Sequence, residues 1–380
     1  MQTGQAKNSV TTIKQGGRES GIELLRIVLM LVIVAHHYVV NSGVSDQINQ
    51  QTVLGFRDFF LLIFGWGGKT AINCFVLITG YFMCASRITA RKFFKLLGEI
   101  EFYKIVIYLI FLLSGYEAFS VKSLLKSVTP FYSVGSGFTS SYLVFFLLIL
   151  FINKLIEALT QREHGLLLLV CLGAYTAIPS FLFGTVPINY IGWFSIVYLI
   201  GAYLRLYPVY QSGSVKFWGF ATLAALLLSW LSVIVLAQAG NVLGKTGLYY
   251  YEVADSNKFL AVALSVCAFL FFKNLKLGCR KGINAVAAST FGVLMIHANS
   301  DTMRQWLWRD TLNNVRAYSS DYWMVHAIAS VAGLFAVCTI IDMGRKLFTN
   351  QIMRGGTKRR IRFNKKIEYE NEGDEYVNIQ

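Results

Sequence analysis

Few side chains in this sequence combine ionisable chemistry with an apolar setting, and two of them share one run. It reads Glu23-Leu-Leu-Arg26, stays apolar to Ala35, and closes on His36-His37-Tyr38. Arg26 and His37 are eleven residues apart, which is three helical turns plus roughly 20°, so a helix presents both on one face about 16 Å apart. His36 points about 100° away. A permanently charged guanidinium can hold a phosphate or carboxylate, and an imidazole can take a proton from a hydroxyl. This spacing suggests a tunnel lined by the first helix, with an anion site at one end and a base at the other. The structural alternative pairs Arg26 with Glu23 at i, i+3, lets Arg26 snorkel, and leaves His37 as a helix cap.

A second histidine lies in Phe291-Gly-Val-Leu-Met-Ile-His297-Ala-Asn299-Ser-Asp301. His297, Asn299 and Asp301 could bind the hydroxyls of an acceptor or shape the mouth of a cavity; packing and hydrogen bonding account for them equally well. A basic cluster, Arg87, Arg91, Lys92 and Lys95, could embrace the phosphates of a nucleotide-like cofactor, or serve as a topology anchor. Glu99, Glu101 and Lys104 follow it as partners in reach. His164 and His326 suggest no role. The six cysteines contain no CxxC pair, so neither a metal site nor a disulfide framework is expected. Nucleotide-hydrolysing loops, HExxH and GxSxG elbows are also missing.

The elements that must position these groups follow from composition. The chain of 380 residues is 55% hydrophobic and only 14% charged, against about a quarter charged in soluble domains. Mean hydropathy is +0.52. Lipid must therefore cover much of the surface. The expected fold is all-α and polytopic, with about ten transmembrane helices. They are placed at Ile22–Val40, Thr70–Cys84, Ile100–Ser114, Ser140–Leu159, Leu166–Phe183, Tyr190–Tyr207, Phe217–Gln238, Phe259–Phe272, Ala285–Arg304 and Met324–Met343. The apolar piece Phe59–Trp66 either extends the second helix, lies in the interface, or re-enters the membrane. The short loops on one side are dense in Lys and Arg, and both tails agree with that side, so both termini are expected in the cytoplasm. Residues 1–20 read as a cytoplasmic tail, 21–346 as one membrane domain, and 347–380 as a basic, then acidic, disordered tail. The net charge of +15 is spread unevenly: nine Lys and Arg lie between Arg345 and Lys366, and that basic stretch suits anionic lipid rather than nucleic acid.

At these residues the chain resembles the membrane-bound acyltransferase family 3. That family carries Arg or Lys, ten residues, then His on its first helix, as Arg26 and His37 do. Its aromatic run ending in Ser-Gly-Tyr/Phe is matched by Asn73-Cys-Phe-Val-Leu-Ile-Thr-Gly80-Tyr81. Its Arg-x-x-Arg pattern is represented by Lys92-Phe-Phe-Lys95, a departure, because lysine lacks the bidentate fork. Trp193 to Arg205 resembles its sixth helix, and Ser289 to His297 its late Tyr/Leu-x-x-His segment. The resemblance covers roughly Ile22 to Met343.

It implies transfer of an acetyl group from cytoplasmic acetyl-CoA, a substrate rather than a bound cofactor, to a hydroxyl of a cell-surface or lipid-linked glycan. Capsules, exopolysaccharides and O-antigens are the acceptors associated with such stand-alone members, in the bacterial cytoplasmic membrane. By this resemblance His37 and Arg26 form the catalytic pair. Arg26 and the Arg87, Arg91, Lys92 and Lys95 cluster face the donor phosphates, and His297, Asn299 and Asp301 face the acceptor. The competing reading is a transporter or flippase for a glycan or lipid-linked sugar; the lack of inverted repeats counts against it.

Overall fold

The computed structural model describes residues 20–135, 137–182, 186–208 and 214–375, with side chains as far as Gln351. The expected tail before Gly21 lies almost wholly outside the described residues. No strand occurs among those described. The path starts with α1 (Ser20–Val40), α2 (Val44–Asn49), α3 (Phe56–Gly65), α4 (Gly68–Met83), α5 (Ala90–Leu113) and α6 (Val121–Val128). Then come α7 (Phe138–Ala158), α8 (Gln161–Leu172), a π-helical turn (Gly173–Ala177), α9 (Ile178–Phe181), α10 (Tyr190–Leu206) and α11 (Val215–Val242). The chain closes with α12 (Phe259–Asn274), α13 (Lys281–Ala287), α14 (Thr290–His297), α15 (Asp301–Arg304), a second π-helical stretch (Gln305–Thr311), α16 (Asn314–Tyr318) and α17 (Trp323–Glu375).

Polar residues start these helices where the sequence changes from loop to apolar run. Thr89, Asn189 and Ser214 each accept a first-turn amide of α5, α10 and α11, and Thr160 with Glu163 closes a capping box on α8. Each satisfies a donor that the helix itself leaves unpaired. Six segments are long and apolar enough to cross a membrane: Ser20–Val40, Phe56–Met83, Phe138–Ala158, Gln161–Phe181, Val215–Val242 and Trp323–Gln351. Tyr190–Leu206 and Phe259–Asn274 are shorter apolar helices. The outward faces fit this: Phe220, Leu223, Leu227, Leu228 and Leu231 of α11 are all more than half exposed. A water-soluble protein does not leave so much contiguous apolar surface uncovered. The chain is a polytopic helical membrane protein.

Several expected helices differ from the structure: the third begins at Ala90 and the tenth continues to Glu375, and two others differ in where they break or begin. The second starts earlier, since α3 and α4 form one apolar span broken at Gly65–Gly68. The single helix expected at Ala285–Arg304 is three pieces, α13, α14 and α15. Serines stand at both breaks, and Ser300 accepts the Met303 amide at the second. At the first, Lys346 of α17 donates to the Ala288 carbonyl. Freed backbone groups are thus satisfied by side chains. The last turns of α17 run through the stretch read from the sequence as a tail.

α1 is the central pillar, packed by α3, α4, α12, α13, α14 and α17. The closest helix pair is α4 with α10, where two glycines face each other's backbone. A Cβ on Gly80 would sit 2.4 Å from the Tyr198 carbonyl oxygen, and one on Gly201 would sit 2.6 Å from that of Leu77. Small residues let membrane helices approach this closely. Gly80→Val is expected to cost about 1–3 kcal/mol by overpacking, seen as a lower melting temperature in detergent; an unchanged melt would refute the contact. Near the end of the bundle where α1 begins, buried Asp342 of α17 accepts from Tyr103 of α5 at 2.7 Å and pairs with Arg345 and Lys346. Arg345 also reaches Glu99 at 2.6 Å. This network fixes α17 to α5 and to the break before α14.

Candidate active site

A cavity of about 750 Å³ opens inside the bundle beside α1. Arg26, Met30, Ile33 and His37 line it, and their i, i+4, i+7, i+11 spacing is one helical face. The stripe carries a cation at one end, an imidazole at the other, and apolar side chains between. Opposite Arg26, the hydroxyls of Thr79 and Tyr142 meet at 3.2 Å. Arg26 also keeps the Glu23 contact foreseen as its alternative, at a long 3.9 Å. The contact offered as its structural alternative is therefore present, and the same side chain lines the cavity.

The wall at His37 is built by hydrogen bonds that define a proton arrangement. His297 sits behind His37, fully buried, and its Nδ1 lies 2.6 Å from the Val293 carbonyl oxygen. A carbonyl only accepts, so Nδ1 of His297 carries a hydrogen. The neutral ring then presents Nε2 as an acceptor, and His37 Nδ1 stands 2.9 Å from it. His37 must donate there, which leaves its own Nε2 as a lone pair. A histidine held through one nitrogen in this way can take a proton at the other. His297 holds it from the end of α14, where the helix break places it. It is behind the wall, not on it.

The break between α3 and α4 supplies two groups that sequence reasoning did not single out. It leaves the Gly65 carbonyl free, and His36 Nδ1 donates to it at 2.6 Å. His36 also lines the cavity. Gly68 lies flat on that ring: a Cβ there would come within 2.5 Å of it. The next residue, Lys69, lines the cavity and donates to the Tyr190 hydroxyl at 2.8 Å. The glycine-rich Gly65-Trp-Gly67-Gly68 inside an apolar span was the available signal, because glycines there mark breaks and close approaches.

Farther along, Asn299, Asp301 and Arg304 line the mouth. Asn299 donates to the Met295 carbonyl at 3.0 Å, and Asp301 pairs with Arg304 at 2.6 Å. Nearby, the Asp310 carboxylate accepts from Tyr116, which pushes that phenol up to about 12. The basic cluster lies apart. Arg87, Arg91, Lys92 and Lys95 are exposed, none lines the cavity, and Lys92 donates to the Arg87 carbonyl at 2.7 Å. Leu96, one residue on, does line it. The two histidines given no role are hydrogen-bonded: His326 shares a bond with Tyr38 at 2.8 Å, and His164 donates to the Leu199 carbonyl at 3.1 Å. No cluster of three or more metal-ligating side chains occurs among the described residues.

The site is an internal cavity of a helical membrane bundle, with Arg26 and His37 on one wall. The chain belongs to acyltransferase family 3: the family model described as an acyltransferase domain matches residues 19–343. No match was found among curated proteins or among solved structures.

Proposed function

We propose that the protein moves an acetyl group from cytoplasmic acetyl-CoA to a hydroxyl of a cell-envelope glycan, free or lipid-linked, in the bacterial cytoplasmic membrane. The observation that carries this reading is the single cavity joining Arg26 to His37, whose Nδ1 is held by His297. In this scheme Arg26 holds a donor phosphate and the apolar stretch at Met30 and Ile33 accommodates the pantetheine arm. The end at His37 receives the acceptor. His37 Nε2 takes the hydroxyl proton as the oxygen attacks the thioester carbon. Collapse breaks the carbon–sulfur bond, the electron pair goes to sulfur, and the proton passes from His37 to the thiolate. Asn299 and Asp301 at the mouth offer the amide and carboxylate groups that bind sugar hydroxyls. The exposed Arg87–Lys95 cluster lies beyond the cavity wall and would contribute a diffuse attraction for the nucleotide.

The test is transfer of radiolabel from acetyl-CoA to envelope glycan extracted from the host, with purified protein in nanodiscs. Arg26→Ala is expected to raise the KM for acetyl-CoA roughly tenfold to a hundredfold, the worth of a charge-assisted contact of about 1.5–3 kcal/mol, with a smaller change in kcat. An unaltered KM would remove Arg26 from the donor site. Failure of the wild type to label any glycan would remove acetyl transfer itself.

A further inference from the structure

We propose that Lys69 is a catalytic residue, its ammonium holding the negative charge that develops on the thioester carbonyl oxygen. The inference rests on the acyl-transfer reading above. When the acceptor oxygen bonds to the carbonyl carbon, the π electrons move onto the carbonyl oxygen and the hydroxyl proton moves to His37 Nε2. The charge returns when the carbon–sulfur bond breaks and sulfur leaves with its electron pair, to be protonated by His37. A site that accelerates this places a donor where the oxyanion forms.

The cavity wall offers few candidates near His37. Arg26 is about three helical turns away. Arg304 and Lys69 both line the same cavity, and Lys69 follows the Gly68 that packs on the neighbouring His36 ring. The Arg304 charge is already answered by Asp301 at 2.6 Å. Lys69 differs, for among the described residues it forms no ion pair, and its bond is to the neutral Tyr190 hydroxyl. It is half-buried beside two imidazoles, His36 and His37. An uncompensated cation in such a setting is costly, and a transient anion at the same place would repay it. The backbone holds Lys69 there: Gly68 against the His36 ring admits no side chain, so the first turn of α4 is pressed onto α1. The positive end of the α4 dipole adds to the field in the same direction. Tyr190, from the start of α10, fixes the ammonium from the other side.

The experiment compares wild type, Lys69→Met, Lys69→Arg, Tyr190→Phe and His37→Ala as full-length protein in nanodiscs. The probes are labelled acetyl-CoA and the host glycan extract, and acetyl-CoA binding is measured separately. Lys69→Met is expected to lower the transfer rate about 10²–10³-fold, the loss typical of one oxyanion donor, with acetyl-CoA affinity little changed. Lys69→Arg restores part of the rate, and Tyr190→Phe lowers it modestly by loosening the ammonium. Lys69→Met at the wild-type rate beside an inactive His37→Ala overturns the inference and leaves acyl transfer standing. Equal losses of rate and affinity also overturn it, since the lysine then holds ground state and transition state alike. If Lys69→Met does not fold, wild-type rates in both Lys69→Arg and Tyr190→Phe overturn it. An active His37→Ala moves the general base elsewhere, and a wild type without transfer refutes the acyl-transfer reading instead.

Discussion

His37→Ala is expected to lower acetyl transfer by about 10³-fold, within the range for loss of a positioned general base. The imidazole presents an unprotonated Nε2 at the end of the cavity stripe that begins at Arg26. Alanine leaves the hydroxyl without a proton acceptor, while Met30 and Ile33 still line the path for the donor. Acetyl-CoA affinity is therefore expected to survive, so the loss falls on kcat. The check is rate and binding measured on one preparation, with the thermal melt confirming an intact fold. A rate above roughly a tenth of wild type would move the base elsewhere. His36 is then the first place to look, because its Nδ1 is also committed, to Gly65, and its ring also lines the cavity.

The second large effect is expected at a residue that lines no cavity. His297→Leu is expected to cost about 10²–10⁴-fold in kcat, by analogy with orienting groups that select a histidine tautomer. Leucine fills similar space but accepts no hydrogen bond. His37 Nδ1 would lose its partner at 2.9 Å, and nothing would keep the proton off Nε2. His297→Gln supplies an amide oxygen on the same side and is expected to retain much of the activity. Because His297 stands behind the wall, the KM for acetyl-CoA is expected to stay constant in both variants. Glutamine and leucine with equal activity would show that His297 only packs. A large KM change would return it to the acceptor-binding role first suggested by its sequence position beside Asn299 and Asp301.

The sequence by itself determined the class of this protein. A chain with so little charge has to place apolar faces against lipid, and the runs that do so recur along its length. It also determined the Arg26–His37 face, since eleven residues on any α-helix return to nearly the same side. The Gly80-Tyr81 and Gly201 positions were legible as parts of a family pattern, although their reason, backbone contact between α4 and α10, was not. What only tertiary structure decided were relations across helices and departures from helical regularity. Hydropathy sums smoothly over Ala285–Arg304 and cannot see that Lys346, fifty-odd residues on, satisfies a carbonyl that a break has freed. The second break, between His297 and Asp301, puts His297 at a helix end, within 2.9 Å of His37 across 260 residues of sequence. His36 was set aside because a straight helix turns it from the His37 face. Lys69 fell just outside the helix expected to begin at Thr70. Both judgements assumed one cavity wall per helix face. The kink at Gly65–Gly68 folds α3 and α4 around α1 and gives His36 and Lys69 the same cavity as His37. Periodicity reports which residues share a face of one helix; which faces enclose a common space depends on where neighbouring helices break and pack.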